Sequence, residues 1–117
     1  MRIVNIDETH AEKRSGGIFL GTVLVKPLLN ESHGCKDLKL DIVEFPPRVR
    51  NKLHSHEYDQ ALYILEGEGV VATEKEEKIV RPGMLAFIPA GEKHWHGATD
   101  RGSFTHISIL RAGKVSY

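Results

Sequence analysis

The stretches His54-Ser55-His56-Glu57-Tyr58-Asp59-Gln60 and Pro89-Ala90-Gly91-Glu92-Lys93-His94-Trp95-His96 decide the reading of this chain. Each sits beside a run of strand-like residues. In a strand, residues two apart point to the same face. His54 and His56 therefore project together, and Gln60 shares their parity after a bend at Tyr58-Asp59. Leu62 and Ile64 continue that face as an apolar wall. His94 and His96 share a face on the second segment. If the two segments meet across a small barrel, three imidazoles and a side-chain carbonyl converge, a set that suits one divalent transition metal. Imidazole binds Mn, Fe, Co, Ni, Cu and Zn alike, so ligand type alone does not select the ion. A single His-x-His pair is a weak signal, because two exposed histidines on an edge strand give the same pattern. A second cluster placed after a Pro-x-Gly turn makes it a strong one.

Outward from these segments the apolar pattern has period two. Ile18 to Val25 reads as a strand stopped by Pro27, and Leu38 to Phe45 alternates up to Pro46-Pro47. Ala61 to Leu65, Val70 to Thr73, Lys78 to Val80, Met84 to Ile88 and Thr105 to Leu110 continue the series. Turn sequences separate them: Gly67-Glu68-Gly69, Arg81-Pro82-Gly83, Pro89-Ala90-Gly91 and Asp100-Arg101-Gly102. Many short strands with regular turn chemistry predict an all-β barrel or sandwich. Residues 30–37 read as a loop. Residues 7–16 are expected as a short helix or as disordered chain.

The 117 residues suit one domain. Lys+Arg and Asp+Glu both number 16, and no basic block stands out, so nucleic acid and membrane surfaces are poor partners. No 18-residue apolar stretch predicts a transmembrane helix. The N-terminal stretch lacks the features of a signal peptide, and the one cysteine, Cys35, suits a reducing compartment; a cytoplasmic location is expected. The seven histidines are the anomaly, and five of them fall between His54 and His106. His10 and His33 are expected in loops, exposed to solvent. Cys35 reads as a small loop residue, and Trp95 as a plug in the core.

At this point the chain resembles a small single-domain cupin. The stretch Arg48 to Gly67 is similar to the first cupin motif, G-x5-H-x-H-x3,4-E-x6-G, with His54, His56 and Gly67 in place. Gly83 to Ala98 is similar to the second, G-x5-P-x-G-x2-H-x3-N, with Gly83, Pro89, Gly91 and His94 in place. The resemblance implies a double-stranded β-helix, the jelly-roll barrel, over residues 1–117. Arg48 replaces the leading glycine, Ala98 the final asparagine, and Gln60 the glutamate. The last change is chemical: three neutral imidazoles and a neutral amide leave a divalent ion its full double charge. Such an ion is a stronger Lewis acid and harder to oxidise.

The Gln60 variant, Gly91-Glu92-Lys93-His94-Trp95-His96-Gly97-Ala98-Thr99 and the later Thr105-His106 together resemble the bacterial cupin-type hydroxynitrile lyases. Cupins related to carboxymuconolactone decarboxylases share much of this pattern. By position, the resemblance implies metal ligation by His54, His56, Gln60 and His94, with manganese the usual ion and Fe, Ni, Zn, Co or Cu open. It implies proton transfer by His96 and His106, leaving open which is acid and which base. From the residues alone, His96 stands equally well as a substrate-facing base or as a core histidine. The preferred reading is a metal-dependent lyase of small molecules with Lewis-acid and acid–base chemistry. A metal-dependent dioxygenase and a non-enzymatic small-ligand-binding cupin are the alternatives. If the site faces inward, Tyr63, Leu65, Ile107 and Ile109 face out, which predicts a homodimer joined through sheet faces or by an exchanged strand at Ile18 to Val25.

Overall fold

A computed structural model describes residues 1–117. Twelve strands follow in chain order: β1 Glu12–Gly16, β2 Phe19–Leu29, β3 Lys39–Phe45, β4 Arg50–Asn51, β5 Ser55–His56, β6 Gln60–Glu66, β7 Gly69–Thr73, β8 Glu77–Val80, β9 Leu85–Ile88, β10 His94–Ala98, β11 Phe104–Leu110 and β12 Val115–Ser116. Ten form one antiparallel sheet in the order β8-β7-β10-β4-β2-β3-β11-β6-β9, with β1 on β2; β12 and β5 form a separate pair. The sheet curls into a half-barrel, consistent with the jelly-roll architecture expected. No helix is long and apolar enough to cross a membrane.

The period-two pattern carried the strand reading because one face of each strand is buried. From His54 to Ile64 every second residue is buried: His54, His56, Tyr58, Gln60, Leu62 and Ile64. The apolar members of this face meet Val23, Val25, Val43, Phe45, Val80, Ile88 and Phe104 in one core. The imidazoles lie on the same inner face. A bulge interrupts the β6–β11 register where Thr105 faces Glu66 and His106 faces Ile64. It skips Leu65, beyond the site, and the inward parity of Gln60 to Ile64 is unaffected.

Three expectations change. Residues 7–16 are neither helix nor disordered: a turn leads into β1, which forms a hairpin with β2. Strand β2 does not stop at Pro27 but continues to Leu29, with its register to β3 shifting between Pro27 and Leu29. A proline lacks the N–H needed for an unbroken ladder, and the irregularity accommodates it. Trp95 is half-buried on the opposite face from His94 and His96, with the Arg50 guanidinium 4.3 Å from its ring centroid. Parity puts it outside, and a cation–π contact takes the place of core packing.

Two turns show where glycine is needed. Gly67 has φ +76°, and a Cβ there would overlap the Ser103 carbonyl oxygen. Arg48, standing where the cupin motif has glycine, has φ +68° and is the one non-glycine residue with positive φ. The left-handed region costs an L-residue about 1–2 kcal/mol, while glycine loses more chain entropy on folding. Arg48→Gly is expected to stabilise the fold by up to about 1 kcal/mol, and Gly67→Ala to destabilise it by about 2 kcal/mol or more. Urea midpoints of the two variants measure both, and a lower midpoint for Arg48→Gly would contradict the strain at that turn.

Candidate metal centre

The site is assembled by backbone pairing. The His54 N–H donates to the His94 carbonyl at 2.9 Å, and the His94 N–H returns the bond to the His54 carbonyl at 2.9 Å. This isolated bridge joins two segments forty residues apart and sets their rings 4.3 Å apart at the centroids. Alternation then puts His56 beside them, 4.9 Å from His54 and 5.1 Å from His94. The His56 strand is held from both sides: the Gly91 N–H donates to the His56 carbonyl at 2.8 Å, and β12 pairs Val115 with His56.

Hydrogen bonds determine which ring atoms are available. A carbonyl can only accept, so His54 Nδ1–H donates to the Lys52 carbonyl at 2.6 Å and His94 Nδ1–H to the Glu92 carbonyl at 2.9 Å. Both Nε2 atoms therefore carry lone pairs, and both are buried without a partner. One nitrogen from each of His54, His56 and His94 lies within 4.8 Å of the others. Gln60 donates from Nε2 to Ser108 Oγ at 2.8 Å. That bond leaves Gln60 Oε1 buried and unpartnered. Buried lone pairs without donors are rare in folded proteins because each costs about 1–3 kcal/mol. Three converging imidazoles, two of them with carbonyl-fixed tautomers and orphaned Nε2 atoms, fit a divalent cation.

His96 and His106 continue the same wall. Their rings are 4.9 Å apart and nearly perpendicular. His106 is fully buried, against Phe45 at 5.7 Å and Phe104 at 5.5 Å, and neither of its nitrogens has a partner. His54, His56, Gln60, His96 and His106 all line one cavity of about 200 Å³. A larger open groove of about 810 Å³ runs beneath residues Ile3 to Asp7 on the outer face. It contains no histidine and no orphaned polar atom; buried histidines lie at the smaller cavity. His10 and His33 are exposed and take no part.

Three contributors were not evident from sequence. Ser108 orients the Gln60 amide, Tyr58 stacks on His56 at 5.0 Å and 12°, and Asn51 bonds twice to His96. Ser108 follows the inward parity of β11, and Tyr58 keeps the inward alternation through the bend between β5 and β6; Asn51 lies on a two-residue strand that no periodicity reveals.

Burial governs the electrostatics. It lowers the pKa of His54 and His56 to about 4, with the neighbouring imidazoles adding to the effect. Burial also lowers His94, holds His96 well below the ordinary histidine value, and brings His106 to about 4. The site therefore holds neutral imidazoles near neutral pH, the state that ligates metal.

The architecture and site define a cupin, and the chain belongs to that family: the cupin-domain model matches residues 41–109. The (R)-mandelonitrile lyase of Granulicella tundricola is 30% identical over 112 residues, covering 93% of this chain and 83% of that protein. The crystal structure of a cupin-like protein from Thermotoga maritima superposes with a TM-score of 0.86 at 30% identity, covering 97% of this chain and 88% of the other. The polyketide cyclase RemF from Streptomyces resistomycificus shares the fold at a TM-score of 0.84 and 22% identity, covering 94% and 78% of the two chains.

Between pH 6.5 and 4 the unfolded chain, with ordinary histidines, binds more protons than the folded one. Metal-free protein is therefore expected to lose stability as pH falls through this window, by about 1.4 kcal/mol per pH unit for each such histidine. Below pH 4 the slope should flatten as the folded-state imidazoles also protonate. Urea unfolding at a series of pH values with a chelator present measures this, and a pH-independent midpoint would contradict the neutral, buried state of the cluster.

Proposed function

We propose that this cupin is a metal-dependent lyase acting on small molecules of the cyanohydrin type, with His54, His56, Gln60 and His94 as ligands of one divalent ion, manganese by preference. The observation that carries this reading is the convergence of three imidazole nitrogens within 4.8 Å beside the orphaned Gln60 Oε1. The similarity to a mandelonitrile lyase over 93% of the chain supports the choice of reaction.

A bound divalent ion supplies Lewis acidity toward a substrate oxygen, undiminished by any carboxylate ligand. The rest is the work of the chain. Phe45, Val25 and Val43 line the cavity with apolar surface and exclude water, which strengthens every charge interaction inside. The cavity, about 200 Å³, is below the common range of about 300–1,000 Å³ for drug-sized ligands, which selects a small substrate. His106, with both nitrogens unpartnered, would receive the hydroxyl proton of a cyanohydrin at one nitrogen. As the C–C bond to the nitrile breaks, its electron pair leaves with cyanide and the oxygen keeps a carbonyl double bond. The proton passes from His106 to cyanide, restoring the neutral imidazole. Low basicity in the free protein keeps His106 uncharged between turnovers.

Elemental analysis by mass spectrometry should find about one divalent transition metal per chain, and His54→Ala/His94→Ala should lose it while remaining folded. His106→Ala should keep its metal and lose about 100-fold or more in mandelonitrile cleavage. Undiminished turnover in His106→Ala would remove that residue from the mechanism, and stoichiometric metal in the double variant would sink the ligand set.

We also propose a homodimer. Tyr63, Leu85 and Phe87 are 42%, 64% and 63% exposed on neighbouring strands, with Tyr63 paired to Leu85 and to Ile107. Contiguous outer apolar surface of this kind is normally covered, and a second copy presents the same patch across a two-fold axis. Sedimentation equilibrium at micromolar concentration is expected to give twice the chain mass; monomer alone would defeat the proposal, and Phe87→Lys should produce monomer from dimer.

A further inference from the structure

His96 is tied to Asn51 by two hydrogen bonds that together leave one assignment. The His96 backbone N–H can only donate, and it meets Asn51 Oδ1 at 2.8 Å. That contact identifies the amide oxygen and so puts the amide nitrogen on the other side. Asn51 Nδ2 lies 3.2 Å from His96 Nε2. An amide N–H₂ can only donate, so Nε2 accepts and carries no proton. In a neutral ring the proton then sits on Nδ1, and this atom is buried with no partner. The fold invests in this contact. Asn51 is 1% exposed on the short strand β4, paired with Phe19 of β2, while its neighbour Arg50 pairs with Gly97 of β10. A Cβ at Gly97 would run into the Arg50 backbone and the Val49 carbonyl. The missing side chain is what lets β4 approach β10 closely enough for the amide to reach the imidazole.

We propose that Asn51 is a positioning residue that locks His96 as its Nδ1–H tautomer, giving the cavity a fixed N–H donor for a ligand that presents a hydrogen-bond acceptor: a carbonyl, hydroxyl or nitrile group. The ligand class rests on the lyase reading; the tautomer rests on Asn51 alone. A buried donor without a partner is costly, and a substrate acceptor is the group that would satisfy it. His96 is thereby separated in role from His106, whose ring no side chain holds.

The test is two-bond ¹H–¹⁵N correlation spectroscopy on protein labelled at histidine and loaded with zinc, a diamagnetic ion, with a His96→Gln sample to assign the signals. Wild type should show a pyrrole-like Nδ1 and a pyridine-like Nε2 for His96. Asn51→Asp should invert the pattern, because a carboxylate accepts from Nε2–H. A pyridine-like Nδ1 in wild type overturns the proposal even if the variant fails to fold, and so does an Asn51→Asp spectrum that keeps the wild-type pattern. Addition of benzaldehyde, the carbonyl product of mandelonitrile cleavage, should shift the His96 Hδ1 signal. No shift at the solubility limit overturns the donor role. The expected tautomer in a protein that cleaves no cyanohydrin would sink the lyase reading and keep the Asn51 lock.

Discussion

The paired backbone hydrogen bonds between His54 and His94 are the constraint on which the site depends. Each residue donates to and accepts from the other at 2.9 Å, so the relative position of the two motifs is set by main chain and not by the flexible side chains they carry. Once that bridge is formed, period-two alternation delivers His56 and Gln60 to the same inner face without further adjustment. The carbonyls of Lys52 and Glu92, each two residues before a histidine of the bridge, then orient the two rings. Preorganisation of this kind makes the cluster a rigid receptor, since little entropy remains to be lost on ligation.

Such a receptor is expensive for the fold. Six side-chain atoms are buried without partners, all on His54, Gln60, His94, His96 and His106. Nothing like this is concentrated elsewhere on the inner face, where Val23, Phe45, Leu62, Ile64 and Phe104 pack as an ordinary apolar core. The barrel is thus divided into a half that stabilises and a half that is held in readiness. Unsatisfied polar groups gathered at one place mark function, because each is a penalty that a ligand can remove.

The charge of the site follows from the same residues. Three neutral imidazoles converge on the candidate ion position. The acidic side chain lining the cavity, Asp41, lies among residues such as Arg14 and Lys39, and burial raises its pKa. Burial also keeps the imidazoles neutral. A cation held by these imidazoles would have no carboxylate among them to offset its charge. The apolar wall around Phe45, 5.7 Å from both His96 and His106, keeps solvent from screening that field.

The sequence by itself determined an all-β barrel or sandwich, most strand positions, and the histidine cluster, because alternation and His-x-His spacing are local properties written into consecutive residues; the jelly-roll class followed from the resemblance of its two motifs to those of cupins. The inward face of Gln60, Leu62 and Ile64 was legible for the same reason. What only the tertiary structure decided is long-range. Strand β1 exists because β2 offers it a partner, β2 passes Pro27 because a register shift absorbs the missing N–H, and Trp95 turns outward to Arg50 despite its bulk. Ser108 reaches Gln60 across 48 residues and Asn51 reaches His96 across 45. A hydrogen bond between distant residues leaves no periodicity in the chain, so the partners that orient this site could be found only once the strands had paired and the sheet had curled.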